Sequence, residues 1–162
     1  MIIKIFITGG TVDTKYNELN GKLIFTKSHL PEMLKQARCK VDIELETIIL
    51  KDSNDMIDSD RKIILQNCKD CNEDKIIITH GTDTMPETAK VLGGNIKDKT
   101  IVLLGSMIPY SFGGSDALFN FGCAISAVQI LPKGVYITMN GRIFPYDNVR
   151  KNKEIGEFQN LV

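Results

Sequence analysis

Apolar residues along this chain gather into short runs, divided by polar stretches in which hydrophobic positions recur at helical spacing. Ile2–Thr8, Lys75–Thr79, Thr100–Leu104 and Val135–Met139 are apolar at nearly consecutive positions. Runs of that length with branched side chains on both faces predict strands buried from both sides. Residues 41–50 predict a further strand, with Val41, Ile43 and Leu45 alternating and Ile48-Ile49-Leu50 closing it. Leu30, Met33, Leu34 and Ala37 follow helical spacing after Ser28, a good cap, with Pro31 tolerated in the first turn. A second helix is predicted from Asp58 to Asn67 or slightly beyond, with Ile63, Ile64 and Cys68 inward. A third opens at Thr84-Met85-Pro86-Glu87, which matches a capping box, and closes at Gly93-Gly94. A fourth starts at Ser115 or Asp116 and carries Ala117, Phe121, Ala124, Ile125 and Val128 on one face. Residues 12–27 read as a loop or loose hairpin, and 140–162 as a polar loop with a short helix.

Strands and helices therefore alternate. That order predicts right-handed crossovers and a three-layer α/β fold, a parallel sheet flanked by helices in the Rossmann-like or flavodoxin-like manner. A chain of 162 residues suits one domain, 1–162, with a sizeable core. Parallel strands end at one edge, where ligands bind in such sheets. Two of the predicted strands run into a Gly-Thr turn there, Thr8-Gly9-Gly10-Thr11 and Thr79-His80-Gly81-Thr82-Asp83-Thr84. Two threonine hydroxyls, one beside a carboxylate, are thus brought to one crevice, an arrangement suited to attack on a carbonyl compound.

Charge narrows the partners. Twenty basic and twenty acidic side chains balance to zero, so the basic excess of a nucleic-acid or anionic-membrane binder is missing. No apolar run approaches the ~20 residues that span a bilayer. Met1 leads directly into a strand, without a basic leader, and the expected location is cytoplasmic. Cys68 and Cys71 form a C-x-x-C, but it falls late in a helix, and neither a second pair nor a His-x-His cluster completes a zinc set. The four cysteines read as reduced and without function, and neither metal nor cofactor is expected.

The strand-end turns carry the candidate chemistry. Gly9-Gly10 lets backbone approach a ligand closely, or serves a tight turn and nothing more. The pattern is neither G-x-G-x-x-G nor a P-loop, so a nucleotide site lacks its main support. A threonine hydroxyl is a weak nucleophile until a base takes its proton. A lysine can be that base, with a carboxylate such as Asp83 holding it; Asp83 can equally bind a substrate ammonium. His80, at the end of a buried strand, reads as a structural hydrogen-bonder rather than a base. Lys51-Asp52-Ser53-Asn54-Asp55 follows a strand to the same edge and offers short polar groups for a carboxylate or amide. Arg142 to Lys153 is basic and reads as solvated surface.

Four blocks in order resemble the bacterial-type asparaginase/glutaminase family. They are Thr8-Gly9-Gly10-Thr11-Val12, Ser53-Asn54-Asp55-Met56, His80 through Ala89, and Leu103 to Pro109 followed by Ser115-Asp116. The resemblance covers essentially the whole chain but only the family's N-terminal catalytic domain, and is strongest to short-chain members. It implies a nucleophilic threonine at Thr11, a mobile-loop tyrosine at Tyr16, and a triad of Thr82, Asp83 and Lys151. It assigns Ser53 and Asn54 to the substrate's amino-acid end, where full-length members commonly have glutamine at the second position. Asp83 would also bind the α-ammonium, with Gly10, Gly81 and Ser106 completing the substrate pocket. Ile108 stands where the family usually has arginine. The implied activity is hydrolysis of L-asparagine to aspartate and ammonia through an acyl-threonine, in a homo-oligomer, dimer or tetramer. A glutaminase or related amidase, and a non-catalytic amino-acid-binding module, are the competing readings.

Overall fold

The computed structural model describes all 162 residues. In chain order the elements are β1 (Ile2–Gly9), β2 (Thr14–Asn17), β3 (Lys22–Phe25), α1 (Leu30–Gln36), β4 (Asp42–Lys51) and α2 (Asp58–Asp70). β5 (Lys75–Thr79), α3 (Met85–Asn95), β6 (Thr100–Leu104), α4 (Ala117–Ile130) and β7 (Gly134–Met139) follow. The chain closes with β8 (Arg142–Pro145), β9 (Arg150–Asn152) and β10 (Glu157–Gln159). A six-stranded sheet runs in the order β4-β1-β5-β6-β7-β8. All pairs are parallel except the last, where β8 returns antiparallel to β7.

The five parallel strands, taken in chain order, lie as 2-1-3-4-5, the flavodoxin-like arrangement. The strand order reverses between β1 and β5, so a crevice opens at their carboxyl ends. Ile76, Ile77 and Ile78 are all fully buried, because helices cover both faces. Alternation sorts their side chains. Ile76 and Ile78 pack with Ile64 and Cys68 of α2 and with Met85, Ala89 and Leu92 of α3. Ile77 packs with Leu30 and Met33 of α1 and with Phe121, Ala124 and Val128 of α4. Two cores thus lie on either side of one sheet, as the strand pattern predicts.

Two local expectations are corrected. Residues 140–162 hold no helix; they form β8 and a separate β9–β10 hairpin. Short strands of three or four residues carry too little periodicity to be read from sequence. Of the two readings of 12–27, loop or loose hairpin, the structure has the hairpin, a β2–β3 ribbon that pairs only with itself. Thr84 does not form the predicted capping box, since its side chain makes no cap bond. Its hydroxyl instead donates to the Ser53 carbonyl at 2.8 Å, because the turn after β4 lies against this helix start. The cysteines are free, and the C-x-x-C spans the end of α2, with Cys68 in the core and burial pushing its thiol pKa up.

Candidate active site

Three strand ends meet at the crevice, and glycines let them touch. Gly9 and Gly10 have φ of 102° and 81°, a region costly for other residues. A Cβ on Gly10 would lie 2.4 Å from the Gly81 nitrogen, and one on Gly81 would lie 2.6 Å from the Ser53 side chain. Backbone from β1, β5 and β4 is therefore stacked without room for a methyl group. The Gly10 N–H donates to the Lys51 carbonyl at 3.0 Å, so its amide belongs to the scaffold rather than to a ligand. Thr11 follows directly, half-buried at the head of a 3-10 turn over Thr11–Asp13. Its hydroxyl has no hydrogen-bond partner within the chain, unlike that of Thr82.

Thr82 sits in the turn three residues beyond the end of β5, with 6% of its surface exposed. Lys151 Nζ donates to Thr82 Oγ1 and to Asp83 Oδ1, each at 2.7 Å. Asn54 Nδ2 donates to the other Asp83 oxygen at 2.9 Å. Asp83 thus accepts from a cation and an amide, and these bonds, Lys151 first, hold its carboxyl below the usual range. The lysine arrives on β9, from a segment that reads in sequence as solvated surface. Tyr146 fixes that segment: its ring lies against Gly93 of α3, where a Cβ would come within 2.3 Å. Gly93 reads in sequence as a helix end; here it makes a notch inside α3.

The sequence-predicted residues do not all converge. Thr82, Asp83, Lys151 and Asn54 form one hydrogen-bonded cluster. Ser53 is buried beside it, and its hydroxyl accepts from the Thr84 N–H at 3.4 Å. Ser106 is fully buried and its hydroxyl donates to the Ile108 carbonyl, so it shapes its own loop. Tyr16 stands 53% exposed on β2, its hydroxyl directed to the ribbon's own turn at Gly21. His80 is fully buried, as a structural hydrogen-bonder should be. Its Nδ1 meets the Gly81 carbonyl at 2.7 Å and its Nε2 meets Thr88 Oγ1 at 2.8 Å. The neutral ring satisfies both, donating from Nδ1 and accepting at Nε2. Burial pushes its pKa down to about 4.

Two residues of structural weight lie outside the roles expected from sequence. Asn120, fully buried in α4, donates to the Gly105 carbonyl at 3.0 Å and accepts from the Asn140 N–H at 3.0 Å. An asparagine inside an apolar helix is the cue that marks it. Asp13, also fully buried, binds Ser28 and the His29 N–H. No helix is long and apolar enough to cross a membrane.

Known proteins are similar to this chain. The family model described as Asparaginase, N-terminal, matches residues 2–156. L-asparaginase 2 of Bacillus subtilis is 32% identical over 158 residues, which is 87% of this chain and 41% of that protein. One component of the glutamyl-tRNA(Gln) amidotransferase of Methanococcus vannielii is 32% identical over 151 residues, 87% of this chain and 34% of that protein. The thermostable L-asparaginase from Thermococcus kodakarensis superposes with a TM-score of 0.87 at 28% identity, over 99% of this chain and 51% of that one. The chain spans about half the length, or less, of these relatives. With the flavodoxin-like sheet, the glycine-stacked strand ends and the Thr82–Lys151–Asp83 cluster already in place, the match over residues 2–156 identifies this chain as a member of the asparaginase family, corresponding to its N-terminal domain.

Proposed function

We propose that this domain hydrolyses the side-chain amide of L-asparagine to aspartate and ammonia. The observation that carries the reading is Lys151 Nζ at 2.7 Å from both Thr82 Oγ1 and Asp83 Oδ1. A lysine held by a carboxylate beside a threonine hydroxyl is a means of moving protons. In this reading Thr11, whose hydroxyl is unengaged, attacks the amide carbon. Its proton passes by way of the crevice to the Thr82–Lys151 pair and on to the leaving nitrogen, which departs as ammonia. The resulting ester is cleaved by water, activated through the same pair, which releases aspartate and restores the Thr11 hydroxyl. Asp83 and Asn54 receive the amino-acid end of the substrate, where an α-ammonium meets a carboxylate that stays ionised.

Glutamine is the competing substrate. The identity of the amidotransferase relative keeps a related amide in view. Asn54 is one methylene shorter than glutamine, and a one-methylene difference is worth about 1–3 kcal/mol in a pocket. The working unit in this reading is a homo-oligomer.

Ammonia release from L-asparagine and L-glutamine, with Thr11→Ala as control, tests the proposal. Release from asparagine that the variant loses by about 10³-fold or more is the expected result. Saturable asparagine binding by folded protein, with no ammonia formed, would assign the chain to amino-acid binding instead.

A further inference from the structure

The β2–β3 ribbon leaves the body of the protein immediately after the Thr11–Asp13 turn and returns at Ser28. It pairs with no other strand, and residues 18–23 are exposed. Its placement is therefore decided at its neck. There the Asp13 carboxylate accepts from the Ser28 hydroxyl at 3.0 Å and from the His29 N–H at 2.8 Å, closing a span of 15 residues. Ser28 in turn accepts from the Leu30 N–H at 3.2 Å, so the clip continues into the start of α1. A second pair of bonds fixes the outgoing side. Thr14 Oγ1 donates to the Thr11 carbonyl at 2.8 Å, and Ser111 Oγ donates to the Thr14 carbonyl at 3.0 Å.

Asp13 is fully buried, yet only one of its oxygens is used; Oδ2 is buried without a partner. A carboxyl group placed so serves poorly as a surface charge and well as a fixed acceptor. Burial raises its pKa, against the lowering effect of the His29 and Ser28 bonds. Thr11 lies two residues before it and Tyr16 three residues after it. One side chain thus governs the relation between the turn that carries Thr11 and the ribbon that carries Tyr16.

We propose that Asp13 is a positioning residue, the clip at the neck of the ribbon that fixes the turn carrying Thr11 relative to the ribbon carrying Tyr16. The kinetic arm of its test rests on the amidohydrolase reading; the structural arm does not. Three variants are compared by hydrogen exchange and by ammonia release: Asp13→Ala, Asp13→Asn and Ser28→Ala. In Asp13→Ala the amides of 14–17 and 22–25 should exchange about tenfold faster, with β5 and β6 unchanged. Its kcat should fall about tenfold or more while KM moves little, as expected for misplacing a reacting group. Asp13→Asn keeps an acceptor for Ser28 and His29 and should restore both readouts. Ser28→Ala should move them in the same direction by a smaller amount.

Unchanged ribbon exchange in Asp13→Ala would overturn the clip. So would exchange that rises uniformly through the sheet, since that marks a merely structural role. Altered ribbon exchange with unaltered turnover in an active enzyme would overturn the positioning role. If the wild type released no ammonia, the amidohydrolase reading would fail, and the exchange results alone would decide whether Asp13 sets the ribbon.

Discussion

Lys151 concentrates the chemistry of the candidate site. Its side chain is 8% exposed, and it joins a hydroxyl and a carboxylate at equal distances of 2.7 Å. Lys151→Met keeps the length of the stem and removes the ammonium. In the proposed reading turnover should fall about 10²–10⁴-fold, the usual range for loss of a positioned acid or base, while asparagine binding persists through Asp83 and Asn54. Thr82→Ala should fall within the same range, and the double variant should lose little more, because the two act as one unit. Additive losses in the double variant would separate them. Asp83 has a depressed pKa, so its ion pair is present above the ordinary carboxylate value and is lost only as the pH falls through the lower folded value. A folded protein that lost the pair near pH 5 would contradict that assignment.

Among the elements, the strand ends are held by what is missing from them. Gly81 has no side chain, and Ser53 fills the space: an added Cβ would approach the Ser53 Cβ and Oγ to 2.6 Å. Gly81→Ala should therefore push the end of β4 away from β5 and cost about 1–3 kcal/mol, in the manner of an overpacked core. Gly94, in α3, offers the opposite case, since nothing lies within 4 Å of its would-be Cβ. Gly94→Ala should stabilise by about 0.5–1 kcal/mol through helix propensity and reduced unfolded-chain entropy. Urea denaturation of the two variants should move the midpoint in opposite directions. Equal shifts would show that the three-strand stack tolerates a methyl group.

Across the whole molecule, His80 couples stability to pH. It ties the end of β5 to α3 through Thr88, and it is neutral because it is fully buried. Its folded pKa of about 4 lies below the ordinary 6.5, so the unfolded chain takes up the proton first. The stabilisation is complete above pH 6.5 and is lost as pH falls toward about 4. Between pH 7 and pH 5 this amounts to about 2 kcal/mol. Urea unfolding across that range, with an NMR titration of the two histidines, checks it. A His80 resonance that titrates near 6.5, or a flat stability profile, would refute the coupling. The same histidine shows how far the sequence reaches. Its place at the end of an unbroken apolar strand marks it as structural, whereas its partner Thr88, on the following helix, is known only once α3 is docked.

The parallel strands, the helices between them and the two Gly-Thr turns follow from sequence by itself. Apolar runs, helical spacing and glycine act locally, and each is legible within ten residues or so. The sequence pattern also carries the family, because Thr11, Thr82 and Asp83 lie inside contiguous motifs. Other assignments depend on contacts between distant segments. Thr84 has the spacing of a capping box, yet its hydroxyl goes to Ser53, 31 residues away. Lys151 is assigned from sequence only through the family resemblance; by local pattern its basic stretch reads as surface, and the fold seats Tyr146 on Gly93 and brings Lys151 to Thr82. Ser106 carries the family motif but turns into its own loop, and Tyr16 stands exposed on a ribbon attached at its neck. Local pattern determined which segments become strands and helices. Packing between segments decided which of their polar groups meet, because hydrogen bonds go to whichever partner the assembled backbone brings within reach.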